Sequence, residues 1–171
     1  METFFETVTL EQVHQRADGL QTLESASVSL DESAGRTLSE DLTSPQDLPG
    51  FTRATMDGFA VKGRDTFGVS ENSPGYLTLA GEVRMGRAPE FILGTGRCAR
   101  IGTGGMLPEG ADAVIMVEYT RLVDDSTVEV TRPVAPGANT LGPTDDASRG
   151  ETLLRAGHRI RPQDVGLMAA L

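Results

Sequence analysis

Ala113-Val114-Ile115-Met116-Val117-Glu118 is an apolar run of strand length. A strand with no alternation expects cover on both faces. Neighbouring segments extend the pattern. Thr127–Arg132 alternates, with Val128 and Val130 on one face. Arg97–Ile101, Tyr76-Leu77 with Leu79, and Phe59 with Val61 mark three further strands. Pro108-Glu109-Gly110, Asp124-Asp125 and Pro136-Gly137 are turn signals between them. Most of the 20 glycines and 9 prolines lie in this middle region. Short strands at regular spacing predict a small barrel or sandwich over about 58–140.

The ends of the chain read differently. Thr9 and Gln12 have capping-box spacing, with Val8 and Val13 at staple positions. Leu10, Val13 and Ala17 then form an apolar stripe, so a helix is expected over about 10–18, closed by Gly19 in a left-handed conformation. Ala26, Val28 and Leu30 alternate with serines and read as a half-buried strand. Asp31 and Gly35 bracket a short helical turn. Leu153-Leu154 and Ile160 read as a hairpin-like return around Ala156-Gly157. Pro162 suits the first residue of a helix, and Asp164 suits its positive end. Val165, Met168 and Leu171 fall at helical spacing, and Ala169-Ala170-Leu171 carries no cap or polar tail. That ending reads as a chain cut inside or just after a helix.

Composition narrows the function. The 171 residues hold 15 Lys+Arg against 25 Asp+Glu, a net charge of −10. Fourteen of the cations are arginines, and Lys62 is the only lysine. This balance opposes binding to nucleic acid or to an anionic membrane. One cysteine, Cys98, excludes an internal disulfide and a cysteine-rich metal site. Cys98 itself reads as a small buried apolar group. His14 and His158 are too few for a histidine cluster, and both read as surface residues. The start, Met1-Glu2-Thr3-Phe4-Phe5-Glu6, lacks an export signal, and no apolar stretch approaches membrane-spanning length. A cytoplasmic protein is expected.

Three segments are richer in Gly, Asp and Thr than turns alone require. Asp47 to Val61 contains Asp57-Gly58 at a strand start. A carboxylate there can ligate Mg²⁺, accept from a ligand or act as a base; equally, Asp-Gly is a turn signal and Met56 a core residue. Ile101 to Ile115 contains Gly102-Thr103-Gly104-Gly105, whose amides could form an anion-binding nest with the Thr103 hydroxyl. Its alternative is a tight hairpin connection. It is neither a Walker A loop nor a dinucleotide fingerprint. Pro136 to Asp146 places Asp145 and Asp146 beside a Gly/Pro loop. Such acids can bind a divalent ion or be solvated caps. Arg84, Arg87, Arg97 and Arg100 cluster in sequence and could face an anion or form a solvated face.

Taken together, Asp47-Leu48-Pro49, Phe51, Met56-Asp57-Gly58-Phe59-Ala60-Val61, Thr103-Gly104, Leu107 to Val114, Pro136-Gly137, Asn139, Asp146 and Ala156-Gly157 resemble the N-terminal part of the MoeA/gephyrin family, the molybdopterin molybdenumtransferases. The match in order and spacing covers nearly the whole chain. The resemblance implies insertion of molybdate into molybdopterin, with adenylylated molybdopterin consumed, AMP released and Mg²⁺ assisting. It implies an α+β fold: a helix/strand domain from both chain ends (1–44 and 146–171) around an inserted, barrel-like β-rich domain (45–145), in an elongated homodimer. By motif position, Asp57, Thr103 and Asp146 match catalytic residues. Thr103, Gly104, Gly105 and Asp145 match cofactor-binding ones, and Asp57 and Asp146 match metal ligands. Two stretches depart from the pattern. Thr52-Arg53-Ala54-Thr55 replaces the usual Asp-Asn-Ser-Ala, and Leu141-Gly142-Pro143-Thr144 stands where a basic stretch is usual. The residues expected to hold molybdate belong to a later domain that these residues do not include.

The resulting expectation is a transferase half-site, inactive alone and completed elsewhere. The alternatives are a non-catalytic dimerisation or scaffold module of the gephyrin type, and an independent β-rich ligand-binding domain.

Overall fold

The computed structural model describes residues 7–21 and 23–171. Residues 1–6, on which the export-signal reading rests, lie outside the described residues. Backbone proximity separates two units. One comprises the chain up to Ser39 with Gly157–Ala170, and the other comprises Glu40–Ala156 with Leu171.

In the second unit the strands are, in chain order, β1 (Leu42–Thr43), β2 (Arg53–Ala54), β3 (Gly58–Val61), β4 (Gly75–Glu82), β5 (Arg97–Ile101), β6 (Ala113–Met116), β7 (Thr120–Leu122), β8 (Thr127–Val130), β9 (Thr140–Leu141) and β10 (Thr152–Leu154). Six of them form one sheet in the order β6-β3-β5-β4-β8-β7. β3 runs antiparallel to both neighbours, β4 is parallel to β5, and β7–β8 is antiparallel. Asp124 fixes the β7–β8 turn by accepting from the Ser126 amide and hydroxyl at 2.8 and 3.0 Å.

The apolar run at Ala113 explains the sheet's centre. All of β3 and the first three residues of β6 are buried. Successive side chains point to opposite faces. Phe59, Val61, Ala113 and Ile115 therefore pack with Cys98, Val128 and Val130 on one face. Ala60, Val114, Ala99 and Ile101 pack with Ala54, Leu93 and Leu107 on the other. Gly58 has no room for a side chain: a Cβ there would collide with the Ile115 carbonyl oxygen. The pairings run from edge strand β6 to edge strand β7, and none joins those two edges among the described residues. They describe one mixed six-stranded sheet at the centre of the β-rich region where a small barrel or sandwich was expected.

Two short antiparallel pairs complete this unit, β1 with β10 and β2 with β9. Leu42 faces Leu154 in the first of these pairs.

In the first unit, α1 (Leu10–Asp18) starts on the capping box as read. The Thr9 amide donates to Gln12 Oε1 at 2.9 Å, and the Gln12 amide donates to Thr9 Oγ1. Gly19 ends it at φ −82°, in the right-handed region and not the left-handed one expected. None of its residues is buried. The strand expected at Ala26–Leu30 is absent: residues 23–29 are exposed and carry no ladder. A half-buried strand needs a neighbour for its backbone groups, and no described strand offers one here. Leu30–Glu32 is instead a 3₁₀ turn, followed by Gly35 at φ +82°. The hairpin expected around Gly157 does not pair with itself. Leu154 faces Leu42, while Arg159 bridges to Thr37.

The second helix, α2 (Pro162–Ala170), begins at Pro162 as expected. Asp164 does more than face a dipole. It accepts from the Arg161 amide at 2.8 Å, from Arg161 Nε and Nη2 at 3.0 Å each, and meets His158 Nε2 at 2.7 Å. His158, read as an unpartnered surface residue, is part of that cluster. The Arg161 side chain, then His158, then the Arg161 amide hold the Asp164 carboxyl well below the usual carboxylate range.

Candidate functional site

The three Gly/Asp/Thr segments converge through main-chain bonds. Arg53 and Ala54 pair with Leu141 and Thr140 on one side. On the other, the Ala54 amide donates to the Gly105 carbonyl at 2.9 Å and the Gly104 amide to the Ala54 carbonyl at 2.8 Å. The Leu107 amide donates to the Thr52 carbonyl at 2.9 Å. The Thr55 amide donates to the Asn139 carbonyl at 3.0 Å, and Asn139 Nδ2 reaches the Val114 carbonyl at 2.8 Å. Asn139 sits at φ +56°, a left-handed conformation that asparagine tolerates better than most side chains.

Asp57 and Thr103, 46 residues apart in sequence, are hydrogen-bonded. Asp57 Oδ1 accepts from the Thr103 amide at 2.7 Å and from Thr103 Oγ1 at 2.8 Å. The amide first, and the hydroxyl second, hold the exposed Asp57 carboxyl below its ordinary value of 3.8. The group is ionised at neutral pH with one oxygen fixed. Oδ2 carries no hydrogen bond among the described residues. Met56, a core residue in the plain-turn reading, is exposed.

The glycine nest is not formed as expected. The Thr103 amide is engaged by Asp57, the Gly104 amide by Ala54 and the Gly105 amide by the Gly102 carbonyl. Each of the three donors is spent within the fold, and only the Gly104 amide bonds to β2, so none of the three is left for an anion. The Thr103 hydroxyl likewise directs its proton to Asp57. Asp145 Oδ2 accepts from the Gly142 amide at 2.6 Å and closes its own loop. Asp146 Oδ2 accepts from Arg53 Nη2 at 2.8 Å.

Arg53 is the site residue that sequence reasoning passed over, noted only as a departure from a pattern. The available signal was its charge. It is the only Lys or Arg in residues 47–61, 101–115 and 136–146. Beside Gly104 lies a cavity of about 200 Å³ lined by Phe51, Met106, Gly86, Arg87 and Ala88. Arg87, in the segment after β4, lines that cavity and makes no hydrogen bond to the three loops among the described residues.

Among the described residues, no three His, Cys, Asp or Glu side chains converge as a metal cage. Magnesium asks for less, since it commonly takes one or two carboxylates and fills its octahedron with water and substrate phosphate. Asp57, with one uncommitted oxygen on a fixed carboxylate, fits that role.

The family model for the MoeA N-terminal region, domains I and II, matches residues 7–171. A molybdopterin molybdenumtransferase of Bacillus subtilis is 36% identical over 145 residues, covering 83% of this chain and 34% of that protein. Molybdopterin molybdenumtransferase 2 of Mycobacterium tuberculosis is 35% identical over 162 residues, covering 94% and 40%. The crystal structure of a molybdopterin biosynthesis MoeA protein from Pyrococcus horikoshii superposes with a TM-score of 0.81 at 41% identity, over 84% of this chain and 38% of that one. The chain spans between a third and two fifths of the length of these relatives. No described helix is long and apolar enough to cross a membrane.

Proposed function

We infer the function from one premise: the chain belongs to the MoeA N-terminal family, domains I and II. It supplies part of the active site of a molybdopterin molybdenumtransferase, which inserts molybdate into adenylylated molybdopterin and releases AMP. The rest of the site comes from the region its relatives carry beyond the matched part. The observation that carries this reading is the Asp57–Thr103 pair inside the converged loops.

Thr103 acts on Asp57, not on the substrate. Its two donors keep the carboxylate ionised and pin Oδ1, so Oδ2 keeps a fixed direction. A charged oxygen held this way is ready before substrate arrives and needs no reorganisation during reaction. Magnesium held by Asp57 would neutralise charge on a substrate phosphate. Asp146, expected as a second ligand, spends Oδ2 on Arg53 and keeps Oδ1 uncommitted among the described residues, so it stands beside Asp57 as a candidate ligand.

The test is cofactor formation from adenylylated molybdopterin and molybdate by the full-length protein containing these residues. Asp57→Asn keeps both bonds to Thr103 but removes the charge, so turnover should fall about tenfold or more with the fold intact. Normal turnover by that variant removes Asp57 from the chemistry. The 171-residue chain alone should show none.

A homodimer is part of the same reading. α1 leaves Leu10 72% and Val13 47% exposed, an apolar stripe suited to a second copy. The mass of the chain in solution at high concentration tests it, and a clean monomer counts against contacts made by this region alone.

A further inference from the structure

We propose that Arg53 is the contact for a phosphate oxyanion of the ligand, a role that rests on the transferase reading above. The loop cluster holds Asp57, Asp145 and Asp146 on a chain of net charge −10. A phosphate approaching it is repelled unless a cation or free amides receive it. The amides of Thr103, Gly104 and Gly105 are all engaged within the fold. The Thr103 hydroxyl is engaged as well. Arg53 is the only cation the three converging segments contain.

Its position fits the role. Arg53 stands between the other two segments, paired to Leu141 in β9 and bridged to Met106 after the glycine turn. Its side chain is 33% exposed and donates from Nη2 to Asp146 at 2.8 Å. A guanidinium has five N–H donors in a planar fork that suits phosphate. Among the described residues only Asp146 accepts one of them. An exposed ion pair of this kind adds little to stability. What it does supply is direction: it restrains a long side chain over the loops while leaving its other donors open.

The experiment is calorimetric titration of the chain with AMP, and separately with inorganic pyrophosphate, in low salt with a chelator present so that no metal contributes. Arg53→Ala should weaken AMP binding at least tenfold. Arg53→Lys should fall between it and wild type, because lysine keeps the charge and loses the fork. Arg87→Ala, at the neighbouring cavity, should stay within twofold of wild type. Circular dichroism confirms that each variant is folded. Binding of AMP by Arg53→Ala within twofold of wild type overturns the proposal, as does loss on Arg87→Ala instead. No binding of AMP or pyrophosphate by the wild-type chain overturns it too. None of these results touches the effect of Asp57→Asn on turnover, so failure of this contact and failure of the transferase reading can be told apart. Pyrophosphate bound as tightly as AMP would limit recognition to the phosphates, still through Arg53.

Discussion

Replacing Gly58 by alanine tests the packing that carries Asp57. Gly58 opens β3 between Ile101 of β5 and Met116 of β6. A Cβ built there overlaps the Ile115 carbonyl oxygen, lies 2.9 Å from its carbonyl carbon and 3.1 Å from Met116 Cα. All three are backbone atoms of β6, so no rotamer change relieves the contact. β6 must shift away from β3, which strains the pairs Phe59–Ile115 and Ala60–Val114 and opens both cores. Overpacking costs about 1–3 kcal/mol, and each weakened ladder bond adds about 1 kcal/mol. A loss of about 3–4 kcal/mol is expected. For a chain of this length 1 kcal/mol moves Tm by about 2–4 °C, so the melt should fall by roughly 10 °C. Urea unfolding followed by circular dichroism should show a lower midpoint at unchanged slope. The Val117 amide donates to the Asp57 carbonyl at 3.0 Å on this same edge, so the carboxylate's base moves with the strand. A loss below about 1 kcal/mol would mean that β3 and β6 are not packed as closely as described, and the reasoning would fail.

Two further outcomes follow from ionisation. Asp164 and Asp57 both titrate below their ordinary value of 3.8 in the fold, through Arg161 with His158 and through Thr103 respectively. A depressed folded pKa contributes stability above the unfolded value that is lost as pH falls through the folded one. The urea midpoint should therefore drop as pH falls below about 4, and Asp164→Asn should flatten that drop; an unchanged slope in the variant would count against the cluster. Cys98 is fully buried, and desolvation pushes its thiol up to about 12. At pH 8 it should ignore a disulfide reagent in the native protein and react only on unfolding, so rapid native labelling would contradict its placement.

The features legible in the sequence are those whose signal is local. Ala113–Met116 announces a doubly covered strand because nothing in it is polar, and Thr9 with Gln12 closes a capping box within one helical turn. Pro162 marks a helix start by its own fixed φ. The misses are matters of partnership. Ala26, Val28 and Leu30 alternate correctly, yet no described strand pairs with them. Leu154 and Arg159 look like one hairpin, yet each finds a partner more than a hundred residues earlier. The glycine turn looked like a nest because its spacing leaves amides free in isolation. Strand β2 takes up two of its bonds, an event no spacing rule within 101–115 contains. His158 seemed alone because its partner's role as the cap of α2 becomes visible only once Arg161 and Asp164 share one turn.

The frame of the site is main-chain, and this bears on how its chemistry can vary. Ala54 is held by Gly105 and Gly104 through backbone groups, and Arg53 faces Leu141 through a backbone ladder. Substituting side chains along 52–55 or 141–144 leaves those bonds in place. The charge presented on the frame can then change without moving the loops. That accounts for how Thr52-Arg53-Ala54-Thr55 and Leu141-Gly142-Pro143-Thr144 depart from the pattern of the family they resemble while the three segments still converge. The basic stretch missing from β9 and its loop faces, across one antiparallel pair, the arginine that β2 carries. Directly opposed residues in such a pair stand about 5 Å apart at Cβ, well within the reach of an arginine side chain.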